Sequence, residues 1–108
     1  MAFDIAQLAE QMFGAAFPIL QQDAPQIGAF AEGEFKKIAQ QLLTIETELA
    51  SGQINADEAN ILIEMQKSAS RTVLLTAKGL SLLTVEKALN AALAVAKTIV
   101  GGALAAIL

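Results

Sequence analysis

From Ala56 to Val100 the chain runs without a proline and with a single glycine, Gly79. Read as one α-helix, that tract is a rod of about 65 Å at roughly 1.5 Å per residue. Such a rod far exceeds an ordinary globular helix. Glu64, Lys67, Arg71 and Lys78 form a thin polar stripe, crowded by Ile61, Leu62, Met65, Val73, Leu74, Leu75, Leu80, Leu82, Leu83, Val85 and Leu89. A helix of this texture has to bury surface almost all the way round, against other chains or lipid. Gly79 costs about 1 kcal/mol relative to alanine in a helix interior, and marks either a kink or a close backbone approach.

The rest of the sequence completes an all-α expectation. Ile5, Leu8, Ala9, Met12, Phe13 and Ala16 recur at steps of three and four, which predicts an amphipathic helix over 3–16. Asp4 lies at its positive end, and Pro18 is expected to end it. Asp23, Pro25 and Gln26 read as the cap and first turn of a second helix over 24–50. There Phe35, Ile38, Leu42, Ile45 and Leu49 make a two-heptad seam, with Gly28 and Ala31 upstream. Ser51-Gly52 supplies a stop, and Asn55 with Glu58 three residues on forms the next capping box. The expected architecture is a short N-terminal helix followed by an αα-hairpin whose second helix, 56–100, is very long and apolar. An apolar tail, 101–108, completes a single all-helical domain that packs in an oligomer.

The interface expected to hold that oligomer is a set of small and seam residues. Ala88, Ala92 and Ala96 line one row at four-residue steps, and Ala94, Thr98, Gly102 and Ala106 line another. Rows of this kind let helix backbones approach closely. With Gly79 and the seam residues Leu42, Ile45 and Leu49 they are the predicted helix–helix contacts. Gly101-Gly102 is expected to loosen or end the helix.

Composition excludes much chemistry. The chain has no Cys and no His, which removes disulfides, thiolate metal sites, Cys nucleophiles and imidazole acid–base catalysis. Hydrophobic residues make up 55% but aromatics only 5%, with five Phe and no Trp or Tyr. Little ring surface is left for a ligand pocket, and Phe3, Phe13, Phe17, Phe30 and Phe35 fall at mostly core-compatible positions. The carboxylate pairs Glu32/Glu34, Glu46/Glu48 and Asp57/Glu58 point to different helix faces, so none reads as an acid–base dyad. Ser68 and Ser70 have no His, and no S-x-x-K spacing joins Lys67 to them. No catalytic, cofactor or metal site is expected, and no small-molecule substrate.

The net charge of −4 conceals a polarity. Residues 1–58 carry nine acids and two bases, giving −7, and residues 59–108 carry two acids and five bases, giving +3. The expected explanation is that the acidic half folds onto the basic half, or onto a neighbour's. Nucleic acid is not expected as a partner, because the bases are few, dispersed and without interleaved aromatics.

The N-terminus lacks the basic, uninterrupted character of a signal peptide, consistent with cytoplasmic synthesis and later particle or membrane association. Residues 88–108 meet the length for a bilayer span, but Lys97 sits near the middle, where insertion costs about 2.5–3.5 kcal/mol. Lipid contact through 72–108 is therefore expected more within an assembly that shelters the charges than as a lone span, with a helix buried in protein as the other reading. The functional expectation is a non-enzymatic structural subunit that self-associates through its Ala/Leu-rich C-terminal helix, such as a membrane-associated phage or other virion component. The alternatives are a membrane-active protein, pore-forming or holin-like, and a small soluble helical adaptor.

Overall fold

Turn chemistry at 76–81 divides the long apolar tract, and the 65 Å rod does not form. The computed structural model describes residues 4–77 and 79–108, so Phe3 and Lys78 lie outside the described residues. The helices are α1 (Ile5–Leu20), α2 (Gly28–Ala50), α3 (Ala56–Leu75), α4 (Leu82–Val100) and α5 (Gly102–Ile107). The molecule measures 41 × 23 × 18 Å, with a radius of gyration of 13.5 Å. A compact chain of this length is expected near 13 Å, on the order of 2.2·N^0.38.

Three local features explain the break. Thr76 Oγ1 donates to the Val73 carbonyl (2.6 Å), an alternative to continued helix. Gly79 has φ +97°, on the side of the backbone map that favours glycine. Ser81 is then the N-cap of α4, its hydroxyl accepting from the Thr84 amide at 3.2 Å. Both readings of Gly79 are met at once, since a Cβ there would stand 2.9 Å from the Asp23 carbonyl oxygen. Gly101, φ +62°, ends α4 as expected. The tail beyond it is the short helix α5.

Other boundaries differ for physical reasons. Pro18 lies inside α1 rather than ending it. Continuing the helix past Pro18 buries Leu20 completely, a gain of about 1.5–3 kcal/mol against one lost backbone bond near a helix end. Asp23 does not cap α2. That helix begins at Gly28 without a side-chain cap, because the Asp23 carboxylate accepts instead from Thr84 Oγ1 at 2.5 Å. The cap at Asn55 is present in full, with Asn55 Oδ1 accepting from the Glu58 amide (2.8 Å) and Glu58 Oε1 from the Asn55 amide (3.0 Å). Asn55→Ala is expected to lower stability by about 1 kcal/mol, read as a shifted urea midpoint at unchanged slope.

The core follows from the two-sidedness of each helix. Leu8, Met12, Ala16 and Leu20 of α1 meet the Val85, Ala88, Leu89, Ala92 and Ala96 face of α4, the most extensive interface in the molecule. α1 also packs on α2, and α2 on α3. The seam behaves as the spacing predicts, with Phe35, Ile38, Leu42 and Ile45 buried and Leu49 half-buried. Of the apolar residues that a single rod would have had to bury against neighbours, Leu74, Val85 and Leu89 are buried within the chain, Leu62, Val73 and Leu80 are half-buried, and Ile61, Met65, Leu75, Leu82 and Leu83 stay exposed. Among the described residues six large apolar side chains are left exposed: Phe30, Ile61, Met65, Leu75, Leu82 and Leu83.

Candidate interaction site

α3 has two faces of different character, and both bear on what the molecule can bind. Successive residues advance by about 100°, which sets Ala59, Ile63, Ser70 and Leu74 on the inner side, all buried. The opposite side carries Ile61, Met65, Ser68, Thr72 and Leu75, all exposed. Their steps of four, three, four and three are those of a coiled-coil seam. A solvent-facing stripe on a helix is ordinarily charged; from Ile61 to Leu75 this one carries no charge and three large apolar groups, with the exposed acids Asp57 and Glu58 one turn before it. Ile61 and Met65 are 58% and 62% exposed.

The inner face meets the one buried carboxylate among the described residues. Glu34 of α2 is 4% exposed, and its Oε2 accepts from Ser70 Oγ of α3 at 2.8 Å. Ser70 Oγ accepts in turn from Gln66 Nε2 at 3.0 Å, while Lys37 Nζ lies 3.7 Å from Glu34 Oε1. Among the described residues every buried side-chain nitrogen and oxygen has a partner. Ser70 is wholly enclosed, so its hydroxyl has no route to a substrate, and the contact serves to set α3 against α2. Both residues lie on core stripes. Glu34 is three residues after Ala31 and four before Ile38, and Ser70 is seven after Ile63 and four before Leu74. Sequence reasoning treated Glu34 as one of a carboxylate pair and Ser70 as a serine without a base, although this periodicity marks both as buried.

A second polar contact links the ends of the bundle. Asp23, between α1 and α2, receives the Thr84 hydroxyl, and Ser81 Oγ lies 3.4 Å from the same carboxylate oxygen. Arg71 of α3 pairs through Nε with Glu86 of α4 and donates from Nη1 to Ser68 Oγ at 3.3 Å. Among the described residues all three ion pairs, Lys37–Glu34, Lys67–Glu64 and Arg71–Glu86, join groups of the same half of the chain. The acidic half does fold on the basic half, but hydroxyls donating to Glu34 and Asp23 make the polar contacts across it.

The expected interface residues separate into two sets. Ala88, Ala92 and Ala96 are fully buried in α4's inner face, and Leu42 and Ile45 in that of α2. Gly79 meets the Asp23 backbone of the same chain. Ala94, Thr98, Gly102 and Ala106 are exposed.

Among the described residues two surface depressions are sizeable. One of about 550 Å³ lies at the Asp23 end, lined by Asp23, Ile27, Phe30, Thr76 and Ala77 among others. Its carboxylate already accepts hydroxyl hydrogen bonds. The other, about 380 Å³, lies along Leu49, Val100, Gly101 and Leu104. Among the described residues no group of three or more carboxylates gathers where a metal ion would sit. Nor is any helix among them long and apolar enough to cross a membrane. Compared with protein-family models, curated proteins and solved structures, the chain matches none.

Proposed function

We propose that this protein is a non-enzymatic helical assembly module, a folded bundle that acts by associating with copies of itself. The observation that carries this reading is the outer face of α3. An uncharged stripe at heptad spacing, with Ile61 and Met65 more than half exposed, has the character of a helix-pairing surface rather than of a solvated one. The internal chemistry supports a structural role. Ser70 is enclosed, Glu34 is hydrogen-bonded to it, and the larger depression is lined mostly by apolar and amide side chains.

The surface for association differs from the one expected from sequence. With Ala88, Ala92 and Ala96 occupied inside the chain, the Ala94, Thr98, Gly102 and Ala106 row stays exposed but offers only small side chains, and the 61–75 face of α3 is the surface we read as offering a partner. Light-scattering mass, measured in buffer with and without mild detergent, tests the reading. The expected result is a mass that is a multiple of 11.3 kDa and rises with concentration in detergent-free buffer. A mass of one chain throughout the micromolar range would reject it. Recovery only in detergent, with dye release from liposomes, would point instead to a membrane-active protein.

A further inference from the structure

We infer that two copies pair antiparallel through α3, about a two-fold axis at Ser68. The inference rests on the self-association proposed above and names the surface, the occupant and the orientation.

The stripe is nearly palindromic about Ser68. Ile61 and Leu75 lie seven residues to either side, and Met65 and Thr72 lie three before and four after. Laid antiparallel about that point, Ile61 of one copy stands level with Leu75 of the other. The two Ser68 residues meet at the axis, where a small side chain lets the helices come close. The paired length from residue 61 to 75 is about 21 Å at roughly 1.5 Å per residue.

Charge settles the orientation. Glu64 and Arg71 flank the same edge of the stripe, about 60° and 80° from Ile61 at 100° per residue. In the antiparallel pair the two flanking edges lie on the same side. Glu64, four residues before the axis, comes within one residue of the level of Arg71 of the second copy, three residues after it. The two-fold repeats this opposite-charge pairing. A parallel pair sets the charged edges on opposite sides and brings neither acid near a base. Glu64 is available, 61% exposed with Lys67 at 3.8 Å. Arg71 directs Nε to Glu86 and Nη1 to Ser68, and a guanidinium has five N–H donors. The opposite edge presents Leu62 and Ala69, so no like charges meet there.

The absence of cysteine makes a direct test available. Ile61→Cys and Leu75→Cys proteins are mixed and mildly oxidised. The expected product is a disulfide-linked heterodimer, with little homodimer from either variant alone. Homodimers of Ile61→Cys in preference to the mixed product would overturn the antiparallel arrangement. Met65→Lys, on the exposed face, is expected to raise the dissociation constant at least about tenfold, equivalent to roughly 1.4 kcal/mol, with helix content by circular dichroism unchanged. If wild-type protein associates while Met65→Lys leaves its mass unaltered, this surface is wrong and self-association stands. If wild-type protein is monomeric, both fail.

Discussion

Replacing Gly79 with alanine is expected to destabilise the protein by about 2–3 kcal/mol, and the sign of the effect is the informative part. Were residues 56–100 a single helix, alanine would remove the entropic penalty of a mid-helix glycine and raise stability by about 1 kcal/mol. In the turn between α3 and α4 the residue has φ +97°, and holding an L-residue there costs on the order of 1–3 kcal/mol. The new methyl would also stand 2.9 Å from the Asp23 carbonyl oxygen. That neighbour is backbone, in the connector between α1 and α2, and cannot rotate aside as a side chain would. Urea denaturation should show a lower midpoint at an unchanged slope. The melting temperature should fall by about 10 °C, taking roughly 4 °C per kcal/mol for a chain of this size. A raised or unchanged midpoint would contradict the turn and return the long helix to consideration.

The same turn shows where the sequence is legible and where it is not. Individual helix faces can be read, because burial follows a period set by the backbone. The Phe35-to-Ile45 seam and the Asn55–Glu58 cap both lie where that period and capping chemistry place them. The break at 76–81 carries a local signal as well, a glycine followed two residues later by Ser81, a cap residue with Thr84 in reach. Reading Gly79 as a kink or close approach within a continuous helix, rather than as part of its end, hid that signal. Two amphipathic helices with different apolar faces, joined end to end in the sequence, then looked like one helix apolar all round. Asp23 failed for another reason. Its local pattern is a good helix start, and only a contact with Thr84, sixty-one residues away, makes its carboxylate unavailable. Leu20 drawing α1 past Pro18 is likewise a tertiary effect on a local rule.

Ser70→Ala is the second large effect expected, a loss of about 2–3 kcal/mol. The hydroxyl is wholly buried and donates to a carboxylate that is itself 4% exposed. A hydrogen bond to a charged group contributes roughly 1.5–3 kcal/mol net, and a buried acceptor left short of its donor carries its desolvation uncompensated. Lys37 lies 3.7 Å from the other carboxylate oxygen with its own side chain 69% exposed, so solvent screens much of what it can offer. Glu34→Leu should cost less, because it removes the buried carboxylate itself and leaves only the Ser70 hydroxyl hydrogen without its acceptor. The double variant, with an apolar pair in place of the polar one, should recover part of the Ser70→Ala loss. A double-mutant cycle by chemical denaturation is then expected to return a coupling of about 1–2 kcal/mol. Near-zero coupling would mean that the contact merely tolerates burial. A real coupling has a consequence beyond stability. Ser70 lies two residues, about 200° of helix rotation, from Ser68, so the contact with Glu34 fixes the rotation of α3 on α2. Once that rotation is fixed, Ile61, Met65, Ser68, Thr72 and Leu75 face outward together as one continuous surface.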